Sequence, residues 1–132
     1  MITCKGIAHF SIPVSDLDKS VAFYSDVVGC TKIVSDGEKH AFMDAGGTCI
    51  LLCVENPPIK RNNSRDHVHH AFTVDTECYR TIGEHLAKHG VELLYDETRE
   101  GGVVNGPRTY FRDPDGTRLE FIDLSSYQPE PR

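Results

Sequence analysis

An internal repeat is the feature of this sequence that most constrains its fold. One half opens with the residues HFSIPV at His9, and the other opens with HHAFTV at His69. Later in the halves the turn sequences FMDAGG and FRDPDG match, and extending that match places Leu51 over Glu120. A segment that occurs twice in one short chain is expected to form the same supersecondary unit twice.

Each half has the pattern of one strand, one helix and three further strands. In the first half, apolar and polar residues alternate over 5–14, a helical stretch capped by Ser15 follows, and Gly29 ends it. The strands predicted after that helix lie near 31–36, 39–45 and 48–54. The second half is predicted to hold a strand at 67–75, a helix at Thr76–His89 and strands near 91–95, 106–112 and 117–124. The fold class is therefore α+β, with two tandem βαβββ modules.

The length favours one domain that contains both modules. The chain has 132 residues, and each half of about 60 residues would bury only a marginal core by itself. We expect a single domain over 1–132, with modules at about 4–54 and 67–124 joined by a polar linker at 55–66. Within that domain, we expect the modules to pack together around a metal-binding cup.

Composition and charge exclude several classes of function. The net charge of -6 and the absence of a basic stripe argue against nucleic acid as a partner. No apolar segment is long enough for a membrane span, and the residues after Met1 do not resemble a signal peptide. The five cysteines form no C-x-x-C pair, as expected for reduced thiols in a cytoplasmic protein.

The repeat places two histidines and a carboxylate at matching positions. Strand alternation puts His9 and His69 on the sheet face that does not meet the helix, and Glu120 lies between Leu119 and Phe121 of the opposite face. Two imidazoles and one carboxylate form a facial triad with open positions, which suits Fe(II) or Mn(II). The alternative is that each residue has an ordinary structural or solvated role.

Three more side chains share the strand face of that glutamate. Tyr110 is a candidate for a catalytic role, because a phenol near a metal can hydrogen-bond a bound oxygen. Arg108 and Arg112 are candidates for holding a carboxylate, phosphonate or phenolate of a small-molecule substrate. The alternatives are core packing for the tyrosine and surface charge for the arginines.

The repeat also assigns counterparts in the first half. Ala41 and Met43 match Tyr110 and Arg112 and offer no chemistry, so the active side is expected to draw more on the second half. His40 matches a threonine and is predicted to point away from the metal. The glycine-rich residues 99–102 form either a lid or a mobile turn.

The paired modules, the two openings and the ending YFRDPDGTRLE together resemble the vicinal oxygen chelate superfamily, which includes glyoxalase I, bleomycin- and fosfomycin-resistance proteins and extradiol dioxygenases. The likeness runs from about Lys5 to Leu124. It implies that His9, His69 and Glu120 bind a divalent metal ion, and that the protein forms a homodimer.

Departures from the superfamily pattern argue against some of its known activities. Glyoxalase I has a glutamate ligand where this chain has Leu51, so a glyoxalase-type isomerase is disfavoured. The extradiol ending is present in Tyr110, the DPDG turn and Glu120, but residues 101–109 lack the histidine of that signature. Fosfomycin-resistance enzymes also carry a tyrosine at the position of Tyr110.

The resemblance leads to a metal-dependent enzyme whose substrate chelates the metal through vicinal oxygens. An extradiol-type dioxygenase with Fe(II) is narrowly favoured, and Mn(II), Zn(II) and Ni(II) are the alternative metals. The alternative activities are a glyoxalase-like lyase and a fosfomycin-type thiol transferase. A metal-free protein that sequesters a ligand, as in bleomycin resistance, is the alternative of a different class.

Overall fold

A computed structural model describes residues 1–55 and 68–124 of the chain. The chain divides into two compact units, Met1–Arg61 and Asn62–Arg132, and each is described by itself. The first unit contains β1 (His9–Val14), α1 (Leu17–Asp26), β2 (Thr31–Ser35), β3 (His40–Ala45) and β4 (Thr48–Val54). The second contains β5 (His69–Val74), α2 (Thr76–Arg80), α3 (Ile82–Lys88), β6 (Tyr95–Arg99), β7 (Gly106–Arg112) and β8 (Arg118–Asp123).

The predicted α+β fold of two βαβββ modules is confirmed. The two four-stranded sheets have the equivalent orders β1-β4-β3-β2 and β5-β8-β7-β6. In each sheet the first and last strands of the module pair in parallel, and the remaining neighbours are antiparallel. The last strand of each module is therefore a central strand, next to the strand that begins with His9 or His69.

The first unit has an apolar core between its sheet and α1, which contacts β2, β3 and β4. One face of the sheet supplies fully buried apolar side chains, including Ile12, Val14, Ala41, Met43, Ile50 and Leu52. The helix begins at Asp16, whose carboxylate accepts a hydrogen bond from the backbone N–H of Lys19 at 3.0 Å. The predicted Ser15 cap is therefore wrong by one residue, while Gly29 follows the helix with the expected positive φ of 87°.

The second unit differs from its predicted elements at two places. The single helix predicted over Thr76–His89 is broken at Thr81, whose hydroxyl donates to the carbonyl of Cys78 at 3.0 Å. The side chain thereby competes for a carbonyl of the helix ladder. The strand predicted near 91–95 lies instead at Tyr95–Arg99, because pairing with β7 begins with Tyr95 opposite Tyr110.

The two long hairpins differ by one residue in their turns. In the second unit Tyr110 pairs with Glu120, whereas in the first unit it is Phe42 that pairs with Leu51. Ala41 and Met43 instead lie fully buried on the helix-facing side, so their predicted match to Tyr110 and Arg112 is wrong. The true counterparts in register are Phe42 and Asp44.

The same shift overturns the prediction for His40. It pairs with Cys53, which pairs with Pro13, so it lies on the sheet face that carries His9. Its ring is half exposed, and its Nδ1 lies 2.9 Å from Oδ2 of Asp36. A hairpin turn shorter by one residue reverses the face of every earlier residue in the aligned strand.

Among the described residues, no helix is both long and apolar enough to span a membrane. The predicted linker lies outside the described residues except for Glu55.

Candidate functional site

The structure brings together two of the three predicted metal ligands. His69 begins β5 and Glu120 lies in the middle of β8, the strand paired with it. Nε2 of His69 is 3.2 Å from Oε2 of Glu120. The imidazole is about one-third exposed while the carboxylate is 3% exposed, so the pair has one open side. An imidazole nitrogen and a carboxylate oxygen at this separation are suitable donors for a divalent cation.

Arg108 holds the other oxygen of the same carboxylate. Its Nη1 lies 3.3 Å from Oε1 of Glu120, and both side chains are almost completely buried. Its Nη2 donates to the carbonyl of Val104 at 2.9 Å. The guanidinium of Arg108 therefore orients the Glu120 carboxylate and balances its charge, and its role in substrate binding stays a prediction.

Tyr110 lies beside this pair and donates its phenolic hydrogen to a second carboxylate. Its hydroxyl is 3.0 Å from Oε1 of Glu97, which also accepts from Nε of Arg99 at 3.0 Å. Burial, followed by the hydrogen bond to Glu97 and the nearby negative charges, raises the pKa of Tyr110 to about 12. The raised pKa favours the protonated phenol at neutral pH.

A stack of aromatic and cationic groups covers the ring of Tyr110. Tyr95 stacks on it with ring centroids 4.5 Å apart, and the guanidinium carbon of Arg118 lies 4.2 Å from its centroid. Arg118 pairs in register with His69 and donates to the hydroxyl of Tyr95. This cation–π arrangement fixes the guanidinium next to His69 on the same sheet face.

Arg112 was predicted to bind substrate, and the structure shows a contact of its guanidinium within the protein. Its Nη1 donates to the carbonyl of Gly116 at 3.0 Å, across the tight turn between β7 and β8. In that turn Asp113 accepts from the backbone N–H of Thr117 at 2.8 Å. One arm of Arg112 therefore stabilises the turn that places Glu120 in register.

The remaining predicted ligand, His9, is exposed at the start of β1 in the first unit. Its register partner is Cys49, and two residues along the same face lies Leu51. In register, His9 and Leu51 thus stand where His69 and Glu120 stand in the second unit. Within residues 1–55 and 68–124, no three histidine, cysteine or acidic side chains form a metal cluster.

His70 follows the predicted ligand along β5 but lies on the opposite face, as expected from strand alternation. It is half-buried, and burial followed by the charge of His69 lowers its pKa. The lowered pKa favours a neutral imidazole at neutral pH, on the sheet face opposite to that of His69.

Sequence reasoning missed the contributions of Tyr95 and Glu97. Both lie on β6, which the sequence pattern placed four residues too early. Alternation over Tyr95, Glu97 and Arg99 carried the signal, because residues two apart share a strand face. With the strand in its true place, these side chains lie beside Tyr110, Arg108 and Gly106.

Comparison with known proteins agrees with the fold. The model of the Glyoxalase/Bleomycin resistance protein/Dioxygenase superfamily matches residues 6–121. Metallothiol transferase FosB of Lysinibacillus sphaericus is 32% identical over 91% of this chain and 83% of that protein. Glutathione transferase FosA of Serratia marcescens is 30% identical over 89% of this chain and 79% of that protein.

A solved structure gives the same likeness in three dimensions. It is a glutamine-for-glutamate variant of the fosfomycin resistance protein FosX from Listeria monocytogenes, in complex with Mn(II) and 1S,2S-dihydroxypropylphosphonic acid. It has a TM-score of 0.76 and 26% sequence identity, and the match covers 93% of each chain. These comparisons favour the fosfomycin-type alternative, and they do not support the extradiol dioxygenase that the sequence narrowly favoured.

Proposed function

Because the chain belongs to the Glyoxalase/Bleomycin resistance protein/Dioxygenase superfamily, we propose that it is a metal-dependent thiol transferase of the fosfomycin-resistance type. Its substrates are a small phosphonate with neighbouring oxygens, such as fosfomycin, and a low-molecular-weight thiol. The observation that carries the proposal is the His69–Glu120 pair, in which Nε2 of a partly exposed imidazole lies 3.2 Å from Oε2 of a buried carboxylate.

The proposed metal ligands are His9, His69 and Glu120. The last two converge within the second unit, and His9 is proposed because its place in β1 is equivalent to that of His69 in β5. Leu51 stands where a fourth ligand would lie, which leaves the set at three. Mn(II) replaces Fe(II) as the favoured ion, since the similar FosX structure contains Mn(II).

The bound ion would supply Lewis-acid stabilisation of negative charge on a substrate oxygen. The carboxylate of Glu120 is aligned by Arg108, so its Oε2 stays directed to the same point as Nε2 of His69. Tyr110 keeps its proton at neutral pH because its pKa is raised to about 12, and its hydroxyl is the neutral polar group beside the carboxylate.

The proposed reaction is addition of the thiol to an epoxide. A carbon–sulfur bond forms, the ring carbon–oxygen bond breaks, and the proton lost by the thiol ends on the ring oxygen. The chain itself supplies no nucleophile in this scheme. Thiol transfer is preferred over addition of water because FosB and FosA proteins, which are thiol transferases, are among the relatives at 30% identity or above.

Metal content and product identity test this proposal. The protein would be purified without chelator or immobilised nickel, and Mn(II) content would be measured for the wild type and the variants His9→Ala, His69→Ala and Glu120→Ala. Glu97→Gln is the matched control, since this carboxyl lies on the same sheet face and bonds Tyr110 instead of His69. We expect about one ion per chain, lost in the three ligand variants and kept in the control.

Mass spectrometry of the product then separates the activities. Incubation of fosfomycin with glutathione or L-cysteine is expected to give the thiol adduct, whereas a diol formed without thiol would indicate hydrolysis. Oxygen uptake with catechol would instead support the hypothesis of an extradiol dioxygenase. A protein that binds no divalent ion, yet still binds the antibiotic, would be a sequestering protein.

A further inference from the structure

Two histidines of α3 lie one helical turn apart and take no part in the proposed reaction. His85 lies within the helix, and His89 follows it as the C-terminal cap residue. The centroids of the two imidazole rings are 4.6 Å apart, and the ring planes are tilted by 53°. Side chains four residues apart on a helix are neighbours on its surface. The two rings therefore form a pair, in which His89 is exposed and His85 is partly exposed.

The hydrogen bond of His89 decides which of its ring nitrogens can bind a cation. Its Nδ1 lies 2.9 Å from the backbone carbonyl oxygen of His85. A carbonyl oxygen can only accept, so Nδ1 carries the hydrogen and donates it. The lone pair of the neutral ring is then on Nε2. Histidines that bind metal ions commonly have this arrangement, with the second ring nitrogen donating to a carbonyl.

The spacing of the two rings is compatible with one cation bound to both. An ion about 2.0–2.1 Å from a ring nitrogen lies roughly 3.2 Å from the centre of that ring. With the centroids 4.6 Å apart, two such distances meet at the ion at an angle of about 90°. Neighbouring ligands in square-planar and octahedral coordination have an angle of about 90°, and tetragonal sites with nitrogen donors are typical of Cu(II) and Ni(II).

The donor set separates this pair from the proposed Mn(II) site. Imidazole ligands suit Cu(II), Ni(II) and Zn(II), whereas Mn(II) binds most weakly in the divalent series and prefers carboxylates and water. The pair on α3 offers two nitrogen donors, while the proposed Mn(II) ligands include the carboxylate of Glu120 on β8. The two places therefore favour different ions.

We propose that His85 and His89 form a second metal site, on the surface of α3, which binds Ni(II) or Cu(II) and has water in the remaining coordination positions. This site does not depend on the proposed function. An ion bonded to both rings links the two ends of the last turn of α3 and stabilises that turn. Metal content measured with Ni(II) therefore exceeds that measured with Mn(II) by about one ion per chain.

Equilibrium dialysis of tag-free protein against Ni(II) tests the site. Wild type is expected to bind about one Ni(II) per chain more than His85→Ala or His89→Ala. Glu120→Ala is expected to keep this ion, because its carboxylate belongs to the other site. His40→Ala is the matched control, since it removes a half-exposed imidazole whose partner is Asp36, and it is expected to bind Ni(II) like the wild type.

Two further readouts keep the test decisive. An ion that binds only the folded chain raises its Tm, so Ni(II) is expected to raise the Tm of wild type more than that of either histidine variant. Paramagnetic Ni(II) should also broaden the ring proton signals of His85 and His89 in wild-type protein, which needs no variant to fold. Unbroadened signals, or equal Ni(II) counts in wild type and both histidine variants, would overturn the site. Ni(II) bound by this pair in a protein that binds no Mn(II) would support the site and reject the proposed function.

Discussion

Nη1 of Arg108 lies 3.3 Å from Oε1 of Glu120, and the two side chains are 5% and 3% exposed. The two charges are neighbours in the interior of the second unit, where neither has water as an alternative partner. Removal of either member leaves the other as an uncompensated buried charge.

Arg108→Met is therefore expected to reduce the free energy of unfolding by about 3 kcal/mol, the lower end of the range for a broken buried pair, since His69 still faces the carboxylate. Urea denaturation of the metal-free protein measures this loss. Arg80→Met, an exposed change of the same charge, is expected to stay within about 0.5 kcal/mol of the wild type. Equal losses in the two variants would contradict the role assigned to Arg108.

Tyr110 is expected to titrate far above an ordinary tyrosine. The phenolate absorbance that is present in the wild type and absent in Tyr110→Phe should appear with a pKa of about 12. In Glu97→Gln, which lacks the carboxylate bonded to Tyr110, this pKa should move towards the ordinary range of tyrosine. A step near 10 in the difference between wild type and Tyr110→Phe would show that the phenol is neither buried nor bonded as described.

The same raised pKa gives a pH-dependent contribution to stability. The unfolded phenol ionises near its ordinary value of 10, and the folded one at about 12. Tyr110 therefore contributes stability that is complete below about pH 10 and is lost as the pH rises towards 12. The unfolding free energies of wild type and Tyr110→Phe, compared at pH 9 and pH 11.5, should converge at the higher pH.

Leu51 offers a test of the proposal that the two halves contribute equivalent positions to the metal site. Leu51→Glu introduces a carboxylate at the position that is equivalent in register to Glu120. If that position faces the metal, Mn(II) affinity should rise at least about tenfold, because ligand charge and number increase. Thr31→Glu adds one carboxylate to an exposed site on β2 and is the control for bulk charge. An equal rise in both variants would show that net charge alone is responsible.

Cys30 should be the least reactive of the described cysteines. It is 7% exposed, and burial, followed by the charge of Asp44, raises the pKa of its thiol to about 11. At pH 8 the thiolate is the reactive form, and very little of it is present at Cys30. Iodoacetamide labelling followed by peptide mapping should modify exposed Cys4 well before Cys30. Rapid labelling of Cys30 would contradict its burial.

Much of the fold could be predicted because apolar and polar side chains alternate in the same way along the strands of both halves. His69, Glu120 and Tyr110 were placed on one face by counting in twos along strands, and the register agrees. That count fails where a turn changes length. The first hairpin has one residue fewer between paired positions, and nothing in the alternation of Ala41 or Met43 reveals it.

The contacts that complete the site were beyond sequence reasoning for a different reason. Glu97 lies on an edge strand, where an acidic residue is ordinarily a solvated charge. Its importance comes from Tyr110 across the ladder, and that partnership exists only once the strand starts at Tyr95. Likewise, the sequence makes Arg108 a candidate for substrate binding, and its contact with the Glu120 carboxylate is visible only in the structure.

The guanidinium of Arg108 connects strand β8 to the loop that precedes β7. One arm bonds Glu120, and the other bonds the carbonyl of Val104 in the loop that follows β6. Displacement of that loop must break one of these contacts or carry the carboxylate with it. The loop and the Glu120 carboxylate are therefore mechanically coupled. A displacement of the loop at the protein surface is transmitted through Arg108 to the position of that carboxylate.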